Sequence, residues 1–232
     1  MSQVPQSLLF LGIIPALILL FISLKGYEGY YKDKTVFITF IAGLILGVII
    51  VIIEAYSALI GVLFIILFPI IEQLSKTIVL NLPRFQGKKE TPIYGLSLGL
   101  GFGSIFIPSS IILLDIQGNS DNISLIFSFL GTLGIILLHA ATGVCIGYGI
   151  YKFKLIKYLV FSIILYLPVT VIIYSTELIS FITQQNIGYL QLSILPYGLV
   201  IYWYFTTKIM PGIKDEKRIR TKKISKSSEG KS

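Results

Sequence analysis

The chain has 232 residues, of which 55% are hydrophobic and only 13% charged, against about 25% charged in a soluble domain. With a mean hydropathy of +0.87, this excludes an ordinary soluble enzyme and predicts one compact membrane domain. The formal charge of +8 is read as a topology signal, with no nucleic acid expected as partner, and the single Cys145 excludes an intrachain disulfide.

A spanning helix needs about 20 apolar residues. Seven runs qualify, at roughly 6–24, 35–54, 57–81, 93–114, 123–150, 156–177 and 187–207. The first has no basic segment before it and no small-residue cleavage pattern after it, so it reads as a retained span. The second and third are almost continuous; joined straight they would be about 70 Å long. The chain is therefore expected to turn near Glu54-Ala-Tyr-Ser57. The fourth carries Gly95, Gly99 and Gly103 at every fourth position, with Gly101 between, a small-residue pattern that lets helices approach closely in lipid. Gly143 and Gly147 form a shorter stripe of the same kind in the fifth. Pro108, Pro168 and Pro196 are expected to kink the fourth, sixth and seventh.

The connections set the orientation. Lys25, Lys32 and Lys34 follow the first run. Arg84, Lys88 and Lys89 follow the third. Lys152, Lys154 and Lys157 follow the fifth, and nine basic residues lie from Lys208 onward. The intervening connections carry only Glu54, Asp115, Asp121 and Glu177. Lys76, within a run, is the exception. This alternation predicts an all-α polytopic membrane helix bundle of about seven transmembrane helices. Its N-terminus lies outside and its C-terminus in the cytoplasm, as a multi-pass protein of the cell membrane. Residues 1–210 form the helical domain. Residues 211–232 form a basic, disordered cytoplasmic tail whose partners are the bilayer and its anionic headgroups.

Within the third run, Pro69-Ile-Ile-Glu72-Gln73-Leu-Ser-Lys76 puts a carboxylate and an ammonium in an apolar helix. A charge at mid-bilayer costs about 2.5–3.5 kcal/mol on insertion scales, so such residues are functional candidates. Glu72 and Lys76, four apart, share a face. The one histidine, His139, lies in the fifth run. Glu72 precedes Arg84 by 12 residues and His139 precedes Lys152 by 13. Both thus lie about 18–20 Å from the cytoplasmic charges, at nearly equal depth. If the two helices are neighbours, a carboxylate and an imidazole meet. The pair could polarise a water, relay protons or bind a cation. Ser97 and Ser104 of the fourth run share a face and could line the same cavity, or bond back to their own helix.

These segments resemble a known family. Pro69-Ile-Ile-Glu72-Gln73-Leu-Ser-Lys76 is similar to the Pro-x-x-Glu-Glu-x-x-Lys motif of the PrsW-type intramembrane proteases, relatives of the CAAX-processing and bacteriocin-processing membrane endopeptidases. Ile93-Tyr94-Gly95-Leu-Ser-Leu-Gly99-Leu-Gly101-Phe102 resembles that family's Tyr-Gly-x-x-x-Gly-x-Gly-Phe segment. His139-Ala-Ala-Thr142-Gly143, followed by Gly147-Tyr148-Gly149, resembles its histidine helix. The resemblance implies an endopeptidase that cuts membrane proteins or lipid-anchored peptides. Glu72 would be general base, His139 the orienting or oxyanion group, and Lys76 would set the charge of Glu72, with Gln73 and Ser104 in support. The chain departs from the pattern at three places. Gln73 replaces the second motif glutamate. Phe106-Ile107 stands where Glu-Asn would follow. Thr91-Pro92-Ile93 replaces the acidic residue usual before Tyr-Gly. With a carboxylate missing from each of two motifs, no metal site is expected, and no cofactor is specified. Two alternatives stand beside the protease: a non-catalytic relative that binds or regulates membrane proteins, and a small proton-coupled transporter using Glu72 and His139 as a relay.

Overall fold

The computed structural model describes residues 8–57, 61–116, 122–183 and 188–212. The described residues are helical, with no strand among them. The elements are α1 (Leu8–Leu24), α2 (Asp33–Ser57), α3 (Leu63–Leu80), α4 (Thr91–Gly103), α5 (Phe106–Ile116), α6 (Asn122–Tyr151), α7 (Leu155–Thr183) and α8 (Ile194–Tyr204). A 3₁₀ segment (Gly188–Ser193) leads into α8 and a π turn (Phe205–Ile209) follows it. Five segments are long and apolar enough to cross a membrane: Asp33–Glu54, Leu63–Leu80, Thr91–Ile116, Asn122–Tyr151 and Leu155–Ser180. The tail from 213, and what is expected of it, lie outside the described residues.

Helix α4 is the axis of the bundle. Every residue from Thr91 to Gly103 is buried, so this helix meets protein on all sides. A helix surrounded by helices has room for backbones only where side chains are absent. On one face, a Cβ added at Gly95 would strike the Gly143 carbonyl, and one at Gly99 the His139 carbonyl of α6; the converse holds for Gly143 against Gly95. On the opposite face Gly101 abuts the Phe40 carbonyl of α2, while Gly43 and Gly47 of α2 abut Leu98 and Phe102. Ser97 ties the same pair by donating to the Val36 carbonyl at 2.6 Å. The outer helices instead present apolar side chains outward: Phe10, Ile18 and Phe21 on α1, Phe37 and Ile45 on α2, Ile156 and Ile164 on α7, and Val200 and Trp203 on α8. Exposed apolar area on this scale marks a surface that faces something other than water.

The contacts also fix direction. Gly95 against Gly143, and Gly147 against Thr91, make α4 and α6 antiparallel. Val36 against Ser97, and Gly47 against Phe102, make α2 and α4 parallel. Gly131 against Gln191, and Gly134 against Ile194, make α6 parallel to the last segment. The basic connections gather accordingly. A Cβ at Gly87 would meet the Phe153 ring, Lys32 N–H donates to the Tyr94 hydroxyl at 3.2 Å, and Ser23 of α1 bonds Tyr202 of α8.

Two expectations shift. The turn expected at Glu54–Ser57 falls later: α2 continues to Ser57, and Gly61, at φ +65, stands just before α3. The left-handed conformation is one that glycine adopts without a Cβ penalty. The fourth run is two helices, α4 and α5, broken at Ser104-Ile105. The cause is Pro108, which lacks the N–H that would bond the Ser104 carbonyl four residues back. Gly12 of α1 lies against that freed carbonyl. Pro196 similarly stands in the first turn of α8, after the 3₁₀ segment, whereas Pro168 lies inside continuous α7.

Candidate functional site: a buried polar cluster

Three helices bring polar groups to one point. On α3 the buried stripe runs Phe64, Phe68, Pro69, Glu72, Gln73, Lys76, Thr77 and Leu80, so the charged pair lies on the inward face. Parallel α6 places His139 opposite it, and antiparallel α7 adds Tyr166. Glu72, Gln73, Lys76, His139 and Thr142 are wholly buried and Tyr166 is 1% exposed.

The bonds around His139 define its chemistry. Lys76 Nζ is 3.2 Å from Nδ1 and donates to Thr142 Oγ1 at 2.8 Å. The Thr142 hydroxyl in turn donates to the His139 carbonyl at 3.2 Å. An ammonium has donors and no lone pair. With Lys76 charged, Nδ1 is therefore the acceptor and the ring proton sits on Nε2. Two oxygens face that nitrogen: Tyr166 Oη at 3.1 Å and Glu72 Oε1 at 3.6 Å. The latter is too long for a formed hydrogen bond.

Aromatic rings enclose the imidazole. Tyr166 stacks on it with centroids 4.8 Å apart, Phe102 meets it edge-on at 4.7 Å, and Phe106 lies tilted at 5.0 Å. Lys76 Nζ also lies 5.3 Å from the centre of the Phe102 ring, within cation–π range. Phe106 stands where the resemblance calls for a carboxylate. In its place His139 meets an apolar face.

Among the described residues, the buried side-chain atoms with no hydrogen-bond partner are both carboxylate oxygens of Glu72 and both amide atoms of Gln73. Buried polar groups are ordinarily bonded, so unmet polar capacity is concentrated on one turn of α3. Most other hydroxyls in the helices bond back to their own backbone, as Ser75 does to Ile71 and Thr132 to Ser128.

Glu72, Lys76 and His139 thus come together. Gln73 lies on the next position of the same buried face. Ser104 does not join the cluster: its hydroxyl donates to the Gly101 carbonyl at 2.7 Å, compensating the helix break. Ser97 bonds α2 instead. Two members, Thr142 and Tyr166, were not expected as site residues. Tyr166 could have been found by the depth count used for the others, since it follows Lys154 by 12 residues. Thr142 follows His139 by three, one turn on the same face. Among the described residues no three His, Cys, Asp or Glu side chains group as a metal site would require. Compared with protein-family models, with curated proteins and with solved structures, the chain matches none of them.

Proposed function

We propose that this chain is a membrane-embedded endopeptidase of PrsW-like type. In this reading seven spans place the N-terminus outside and the C-terminus in the cytoplasm. The observation that carries the chemistry is the 3.6 Å approach of Glu72 Oε1 to His139 Nε2 with both groups fully buried. A general base acts within hydrogen-bond reach or through one water. A water admitted when the pair parts from its present 3.6 Å separation would donate to the carboxylate of Glu72. His139, protonated on Nε2, would donate to the oxygen that gains charge as the carbonyl is attacked. Lys76 holds the imidazole in that tautomer from the far side. The substrate would be a single-span membrane protein or lipid-anchored peptide, cut in the cytoplasmic half of the bilayer.

One observation favours a second reading, a non-catalytic protein that binds membrane clients. The site is closed on every side, and Phe106 packs on the imidazole where a carboxylate is implied. The two readings separate on co-expression with single-span substrates. The first predicts cleavage by the wild type, lost in Glu72→Gln and His139→Ala. The second predicts crosslinking to a client with no cleavage in any form.

A further inference from the structure

Tyr166 occupies a place in the cluster that the glutamate–histidine pair alone does not explain. Its ring stacks on the imidazole and its hydroxyl is 3.1 Å from Nε2. The carboxyl of Glu72 lies beside the same hydroxyl, short of a formed hydrogen bond in the present geometry. On the other side of the ring, Lys76 is 3.2 Å from Nδ1. The imidazole therefore has the ammonium at one nitrogen and, at the other, both the phenol and the carboxyl. The imidazole and the phenol can each accept on one side and donate on another.

We propose that Lys76, His139, Tyr166 and Glu72 form a directed proton relay, resting with Lys76 charged and the imidazole proton on Nε2. In the resting order Lys76 Nζ–H donates to Nδ1, Nε2–H donates to Tyr166 Oη, and the phenol O–H points to Glu72. Transfer moves one proton at each link. Lys76 gives its proton to Nδ1, Nε2 gives its proton to the phenol oxygen, and the phenol gives its own to Glu72. The products are a neutral amine, an imidazole protonated on Nδ1, an unchanged phenol and a carboxylic acid. An ion pair has become two neutral groups with no proton taken from solvent, and the reverse sequence restores it. In a buried site charges are costly to hold, which makes an internal route for neutralising them consequential. The surrounding groups that can interact electrostatically with the relay are Glu54 of α2, which acts on Glu72 and Tyr166, and Cys145 of α6, which acts on Lys76.

The use of the relay in hydrolysis rests on the reading given above. Glu72 would take a proton from the attacking water and pass it to the leaving amine, returning to the carboxylate, while the relay sets the charge of Glu72 between turnovers. Tyr166 and Lys76 are then positioning residues that act through His139 and Glu72.

The test needs no activity. The chain has one histidine, so ¹⁵N-histidine labelling of the full-length protein in lipid nanodiscs reports on His139 alone. The wild type is expected to show one protonated nitrogen, assigned to Nε2, and one unprotonated nitrogen, Nδ1, shifted by an accepted hydrogen bond. Tyr166→Phe should move the Nε2–H resonance and leave Nδ1 in place. Lys76→Met should move Nδ1 toward the position of an unbonded ring nitrogen. An imidazolium, or a proton on Nδ1, in the wild type would overturn the relay, and so would a spectrum that neither variant changes. The wild-type spectrum decides the tautomer even if a variant does not fold. This outcome is independent of cleavage. A wrong tautomer removes the relay without touching the cleavage assay, and absent cleavage leaves the tautomer standing.

Discussion

Lys76 sits among two polar acceptors and an aromatic face, and its neighbour in charge is one turn away. Its ammonium donates to Thr142 and faces His139 Nδ1, and it interacts electrostatically with Glu72. Removing one member of a buried charged pair is costly because the other is left without compensation, about 3–5 kcal/mol, whereas replacing both is far milder. Lys76→Met is therefore expected to destabilise the fold by about that amount. The double variant Glu72→Gln/Lys76→Met should lose less than the sum of the singles, as read by thermal or denaturant unfolding in detergent. Thr142→Val removes one acceptor from the ammonium and should cost about 1–3 kcal/mol. If the double variant instead loses the full sum, the two groups are not coupled. Glu72, Lys76 and His139 were legible in the sequence because a titratable group stands out in an apolar run. Tyr166 stood out less, because tyrosine is common in this chain, with 14 copies, and only its depth, 12 residues from Lys154, sets it apart from an interfacial one.

At the scale of the helix, α4 decides whether the site exists. Its glycines let the α6 backbone come close enough to bring His139 inward. A methyl at Gly99 would run into the His139 carbonyl, which belongs to rigid helix backbone. Gly99→Ala should force the helices apart, with a loss of about 1–3 kcal/mol as for other overpacked sites. Gly212→Ala, where nothing lies within 4 Å, should leave the unfolding midpoint unchanged. Equal stability of the two variants would contradict the packing account. The glycine spacing announced close packing, yet not which helix lies on which face; that follows only from the bundle. The break at Ser104 was visible through Pro108. What covers the freed Ser104 carbonyl was hidden, because the neighbouring α1 glycine is a tertiary fact. Of the two roles open to Ser104, lining the site or bonding back to its own helix, it takes the second.

For the whole molecule, charge and direction agree. Helices that alternate in direction bring the connections bearing Lys25, Arg84, Lys88, Lys152 and Lys154 to one end, which in the proposed reading is the cytoplasmic one. Accessibility or fusion reporters in 82–92 and 115–122 are expected on opposite sides; the same side for both would overturn the seven-span arrangement. The all-helical class was readable because length and apolar composition suffice for a helix that faces lipid, and five segments are long and apolar enough to cross a membrane. The enclosure of the site was not readable, since it depends on three rings from separate turns meeting one imidazole. The central claim, that Glu72 and His139 make a hydrolytic site within the bilayer, is tested most directly in proteoliposomes. Purified wild type and the nearly isosteric Glu72→Gln variant would be reconstituted with a single-span substrate, and fragment formation followed by mass spectrometry. The account predicts fragments cut in the cytoplasmic half with the wild type and a loss of at least about 100-fold with Glu72→Gln, the scale of a positioned base. Equal fragment formation by both proteins would contradict it.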